Sequence, residues 1–203
     1  MLTGFMLVAS AVMLLVYNQK EATNAKKNTD RLLPIIMAEI ESNKQETISL
    51  PGSEEHVLQD FVEQESVEMS TVEMSTVEIE GNKYIGYLSI PKLQLDLPVM
   101  ADWSYPKLKE SPCRYVGSVE EDNLVIMAHN YPHHFGELKE LCSGDNVFFT
   151  DMNGNIVLYE IMARDVLEPV ALEEVTSGAY DLTLFTCTYG GESRVTVYGN
   201  RID

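Results

Sequence analysis

From residue 81 onward the chain is a succession of short runs rich in β-branched and aromatic residues, each cut off by Gly, Pro, Asn or Asp. Runs of this length fit the two-residue period of a strand and are too short for the 3.6-residue period of a stable helix, so the pattern commits this half of the chain to strands. Residues 84–90 form one strand, Pro91-Lys92 turns it, and 93–100 alternates apolar and polar positions. Residues 123–127 are nearly continuously apolar, the pattern of a strand covered on both faces. Segments 147–150 and 156–166 flank Asp151-Met152-Asn153-Gly154-Asn155, a strong hairpin turn. Segments 181–186 and 194–200 complete the set, and 131–141 holds the one plausible short helix. Roughly eight strands with so little helix predict an all-β fold, a closed or nearly closed barrel.

The first 80 residues follow different rules. Residues 2–17 are apolar without a charge. As a helix rising about 1.5 Å per residue they span about 24 Å, somewhat short of a hydrocarbon core of about 30 Å. A core helix would carry polar residues along one face, and a cleavable signal peptide would begin with basic residues; this run has neither, so a membrane anchor is the better reading. Lys20, Lys26, Lys27 and Arg31 all follow the run, which by the positive-inside rule holds the remainder of the chain in the cytoplasm. The expectation is a short basic segment ahead of Met1 in the natural protein, which would reverse that orientation and leave the folded domain outside the cell.

Residues 30–45 read as a short helix, with Leu33, Ile36, Met37 and Ile40 on one face, Asp30 as cap and Pro34 in the first turn. Pro51-Gly52 ends it. A five-residue repeat then runs over 67–81 (Val-Glu-Met-Ser-Thr, twice, then Val77-Glu78-Ile79-Glu80-Gly81). Five matches neither helical nor strand periodicity, so the repeat reads as a solvated stalk. Between Glu39 and Asn82 stand twelve acidic residues, one lysine (Lys44) and one aromatic (Phe61), too little to bury a core. The net charge of −18 excludes nucleic acid and anionic lipid headgroups as partners. The expected division is 1–18 anchor, 19–80 acidic helical or flexible stalk, and 81–203 folded domain.

Cys187 closes the run Asp181-Leu182-Thr183-Leu184-Phe185-Thr186-Cys187, and Arg194 opens the next strand. A thiol kept for packing has no need of a cation nearby; a thiol that attacks a carbonyl gains from one, because the thiolate is the nucleophile. Such a nucleophile also needs a proton acceptor. Of four histidines, His56 sits in the acidic stalk, and His133 and His134 follow Pro132 where exposed histidines are common. His129 ends the buried strand Leu124-Val125-Ile126-Met127-Ala128. A lone histidine there would be an ordinary polar strand end. With a cysteine and an arginine at two other strand ends, a catalytic base is the stronger reading. Arg194 cannot be the base, since it does not deprotonate, but it can donate to an oxyanion.

Other constellations fail. Cys142 and the nearby histidines lack tetrahedral ligand spacing, and Asp145, Asp151, Asn153 and Asn155 lack the glycine and terminal glutamate of a calcium loop, so no metal is expected. Three cysteines argue against a disulfide scaffold. Cys113 and Cys142 read better as two small unpaired side chains.

Thr183-Leu184-Phe185-Thr186-Cys187 resembles the Thr-Leu-x-Thr-Cys signature of sortases, the membrane-anchored cysteine transpeptidases of Gram-positive bacteria. Ile85-Gly86-Tyr87-Leu88-Ser89-Ile90-Pro91-Lys92-Leu93 with Leu97-Pro98-Val99 resembles their opening hairpin. Met127-Ala128-His129-Asn130 and Phe135-Gly136-Glu137-Leu138 resemble their histidine strand and its sequel, with Ala128 where many members have glycine. The resemblance covers about residues 82–203. It implies an eight-stranded sortase-type barrel with one or two short helices and an N-terminal membrane helix. It implies, too, that Cys187 attacks a C-terminal sorting signal of a secreted protein, often Leu-Pro-x-Thr-Gly, while His129 forms an ion pair with the thiolate and protonates the leaving amine, and Arg194 stabilises the oxyanion. An amine of a peptidoglycan precursor or a pilin lysine would resolve the thioester, with no cofactor. Asn130, Thr186, Tyr189 and Glu192 are the candidate substrate-contacting residues. The histidine segment is similar to class B and the compact domain to class D. A cysteine endopeptidase with water as acceptor, or a tethered domain that binds peptide at a sheet edge without catalysis, would share these residues.

Overall fold

The computed structural model describes residues 2–48 and 73–202. His56, Pro51-Gly52 and the repeat units before Glu73 lie outside them. Among the described residues, nine strands form one sheet: β1 (Val77–Ile79), β2 (Asn82–Ile90), β3 (Leu95–Met100), β4 (Cys113–Val116), β5 (Leu124–Met127), β6 (Asn146–Asp151), β7 (Ile156–Leu167), β8 (Leu182–Cys187) and β9 (Arg194–Ile202). The order β2-β3-β4-β5-β8-β9-β7-β6 returns to β2 through Gly86↔Asp151 to Ser89↔Phe148, so eight strands close a barrel. β1 extends the sheet along the start of β2. Closure depends on Gly86. At φ 143° a Cβ there would stand 1.9 Å from the Thr150 carbonyl oxygen, so any side chain would prise β2 from β6.

The barrel interior is filled by Leu88, Ile126, Phe149, Tyr159, Leu184 and Val197, all fully buried. Alternation along each strand sends these side chains inward and their neighbours out, which is why one face of the sequence pattern predicts the core. The end of the repeat is not solvated stalk: Val77–Ile79 of the last unit pairs with β2, and Met74 of the unit before it is buried in the core.

The N-terminal region also departs from expectation. In place of a separate helix over 30–45 there is a single helix α1, Leu2–Ile48. Asp30, expected as its cap, lies mid-helix and pairs with Lys26 at 3.1 Å. The buried face is Leu32, Ile36 and Ile40, while Met37 is exposed. These three pack with Tyr84, Met100, Leu108, Cys113 and Met152 on the outside of the barrel. Burying them stabilises by about 1.5–3 kcal/mol each, enough to offset the roughly 3 kcal/mol that Pro34 costs in a helix interior. Asn43 Nδ2 donates to the Met152 carbonyl at 2.9 Å and fixes the far end. No helix among the described residues is long and apolar enough to cross a membrane.

Two further short helices, α2 (Tyr105–Leu108) and α3 (Leu172–Val175), lie in the connections after β3 and β7. The helix expected within 131–141 is one 3-10 turn, Leu138–Glu140.

Candidate active site

Three adjacent strands end together at one rim of the barrel. β5 and β8 are parallel with Met127 opposite Phe185, so two residues further on His129 stands level with Cys187. The Ala128 amide donates to the Phe185 carbonyl at 3.2 Å, and Thr186 Oγ1 donates to the Ala128 carbonyl at 2.8 Å. β8 and β9 are antiparallel with Cys187 opposite Arg194. The turn between them is tight because it satisfies itself: the Thr188 amide donates to the Ser193 carbonyl at 2.9 Å, and the Ser193 amide to Thr188 Oγ1 at 3.0 Å. Gly190 and Gly191, both at positive φ, let the chain reverse there. The result is a guanidinium aimed at a sulfur, Arg194 Nη1 to Cys187 Sγ at 3.0 Å.

Burial lowers the pKa of His129 from its ordinary value, Lys109 lowers it further, and Glu21 opposes both. A neutral imidazole at a strand end level with Cys187 is in a form that can accept a proton. The ring of His129 stacks on Tyr131, with centroids 4.9 Å apart, and Tyr131 packs in turn on His134 at 5.6 Å. His134 is not the exposed loop residue the sequence predicts. It is fully buried, neither ring nitrogen has a hydrogen-bond partner, and burial pushes its pKa down to about 4. His133 beside it is exposed. The segment doubles back under Tyr131 because Gly136 leaves room: a Cβ there would be 2.7 Å from the carbonyl oxygens of Asn130 and Tyr131. Tyr131 and His134 were not legible as site residues, since their role depends on this fold-back and not on a motif.

The outward side of β5 and β8 carries an apolar floor of Val125, Met127 and Phe185, with Val175 of α3 over it and Tyr115 at its flank. On the other side of His129 is a cavity of about 700 Å³, lined by His129, Asn130 and Tyr189 and by Asn18, Gln19 and Ala22 of α1. Thr186 is buried and ties β8 to β5; Glu192 is exposed on the turn and does not line this cavity. Cys113 is buried and free, its thiol pushed up to about 12 by burial, and Cys142 is exposed and free. Among the described residues no three His, Cys, Asp or Glu side chains are grouped to hold a metal.

The family profile described as "Sortase domain" matches residues 88–202. The chain belongs to the sortase family, the cysteine transpeptidases. Similar solved structures include sortase C1 from Streptococcus suis, 30% identical with a TM-score of 0.53 over 59% of this chain and 73% of that one. Sortase C1 from Streptococcus agalactiae is 27% identical, TM-score 0.53, over 62% and 71% of the two chains. Sortase C from Streptococcus pneumoniae, 24% identical, shares the fold with TM-score 0.54 over 82% and 89%. No curated protein matches the chain.

Proposed function

We propose that Cys187, His129 and Arg194 perform the sortase reaction on a C-terminal sorting signal, Leu-Pro-x-Thr-Gly or a close variant, of a secreted protein. The observation that carries this reading is the 3.0 Å contact between the Arg194 guanidinium and the Cys187 sulfur at joined strand ends. Neutral His129 takes the thiol proton. The thiolate attacks the scissile carbonyl carbon, forming a C–S bond and a tetrahedral oxyanion. Arg194 donates hydrogen bonds to that oxygen. Collapse breaks the C–N bond, and His129 returns its proton to the departing amine. An incoming amine, from a peptidoglycan precursor or a pilin lysine, then attacks the thioester, loses a proton to His129 and releases Cys187.

Half-buried Met127, beside Phe185 on the outward side of β5 and β8, offers an apolar contact to an extended peptide lying along these strands. Asn130 and Tyr189, which share the cavity beside His129, are placed to contact the peptide or the acceptor. Thr186 supports from beneath, and Glu192 acts from the rim. We assign 1–18 as a single-pass anchor, 19–80 as the connecting segment, whose last residues join the sheet as β1, and 81–203 as the catalytic domain on the outer face of the cell membrane. A short apolar run is accommodated by local thinning of the bilayer and by flanking lysines. The histidine segment argues for a class B-like enzyme, whereas the similar solved structures are called sortase C.

Incubation with a panel of sorting-signal peptides, with and without diaminopimelate-type and lysine amines, read by mass spectrometry, tests this. A product joined to one amine supports the proposal. Cleavage with water alone, whatever the amine, would make the enzyme an endopeptidase.

A further inference from the structure

The long helix α1 fixes which end of the barrel faces the apolar run. Asn43 is bonded beside the β6–β7 turn, and Asn18, Gln19 and Ala22 line the cavity at His129. The 25 helical steps from Asn18 to Asn43 cover about 37 Å of helix, so α1 crosses the barrel from one rim to the other. The apolar run ends at Tyr17, one residue before the helix reaches the catalytic rim.

A second observation points the same way. Among the described residues four aromatic side chains are exposed: Tyr17, Trp103, Tyr105 and Tyr189. All four sit at this rim. Lys109, in the segment after α2, reaches Tyr17 with Nζ–Oη 3.4 Å, and the Trp103 and Tyr105 rings meet edge-on at 5.9 Å. Tyr189 lies across the cavity from Asn18. Exposed Trp and Tyr gathered where an apolar helix emerges is the composition of a membrane–water interface. Two lysines beside the aromatic residues are neutralised, Lys107 by Asp102 at 2.6 Å and Lys109 by Glu21 at 3.6 Å. The patch therefore suits a zwitterionic headgroup layer and not an anionic one.

We propose that the catalytic rim docks onto the bilayer surface, with Trp103, Tyr105 and Tyr189 seated in the headgroup region around the emerging α1. This rests on the reading of residues 2–17 as the anchor. Its consequence is that the mouth at Cys187 opens against the membrane, so a peptide or amine must be held at the bilayer surface to reach it. The outer end of the barrel, with the β6–β7 turn, points away.

Trp103 is the single tryptophan of the chain, so its fluorescence reports the rim alone. The full chain is reconstituted in phosphatidylcholine vesicles with plain or brominated acyl chains. The proposal expects bromines near the headgroups to quench Trp103 at least about twofold, in line with an interfacial indole. A Trp103→Tyr, Ile156→Trp double variant, reporting from the opposite end, should be unquenched. A chain that resists carbonate extraction yet shows no Trp103 quenching would overturn docking while leaving the anchor intact. Equal quenching at both positions would overturn the orientation, and a chain stripped by carbonate would remove the anchor and the docking together.

Discussion

The two ends of the barrel are built to opposite standards. At the outer end, the Asp151 carboxylate accepts from the Asn153 amide at 2.9 Å, the Asn155 amide at 2.8 Å and Asn155 Nδ2 at 2.8 Å, and the Gly154 amide closes onto the Asp151 carbonyl at 3.1 Å. Asp151 and Asn155 spend their side-chain polar groups on the turn itself, while the Met152 carbonyl and Asn153 Nδ2 bond Asn43 and Ser75. At the catalytic end, His134 is buried with both ring nitrogens unpartnered, His129 is pressed toward its neutral form, and Arg194 spends a donor on a sulfur. An unpaired buried polar group costs about 1–3 kcal/mol. One end stabilises the barrel, and the other holds reactive groups in arrangements that a purely stabilising design would avoid.

Breaking the catalytic end should cost activity and not stability. His129→Ala removes the proposed proton carrier and should lower kcat/KM by at least ~10³-fold, about 4 kcal/mol in the barrier, with an unchanged melting temperature. Arg194→Lys keeps a charge but loses the planar fork, and should retain only ~1–10% of turnover in the same peptide assay. A near-normal His129→Ala enzyme would show that the wrong histidine was chosen.

A subtler contrast lies in pH. His134 titrates at about 4 in the fold, against 6.5 for an ordinary histidine. Between those values the unfolded chain binds the extra proton, so stability should fall as pH drops from 6.5 to 4. The gap is worth on the order of 3 kcal/mol at most. Urea unfolding of a His134→Phe variant should show this part of the acid loss removed, and an undiminished pH slope would mean His134 is solvated. At the other end, Asp151→Ala should cost about 1–2 kcal/mol in the same urea experiment and leave kcat unchanged.

The strands with clear turn chemistry were legible because their limits are written locally. Gly190-Gly191 between Cys187 and Arg194, and Asn153-Gly154 between β6 and β7, each set the register of a hairpin. β4 was not, because Cys113-Arg114-Tyr115-Val116 shows no alternation and pairs in parallel with β3 at a single position. The length of α1 was hidden by Pro34, whose local cost is offset only by packing against strands distant in sequence. Cys187, His129 and Arg194 were visible as strand-end residues of the right chemistry. Tyr131 and His134 were not, since a buried histidine and an exposed one look alike until the chain has folded back over Gly136.

The central claim is that Cys187 carries the acyl group. The most direct measurement is intact-protein mass spectrometry after rapid acid quench with a sorting-signal peptide and no added amine. The account predicts an adduct equal to the peptide's acyl portion, localised to Cys187, sensitive to hydroxylamine and absent in Cys187→Ala. Turnover of the peptide with no such adduct, or an adduct that persists in Cys187→Ala, would contradict it.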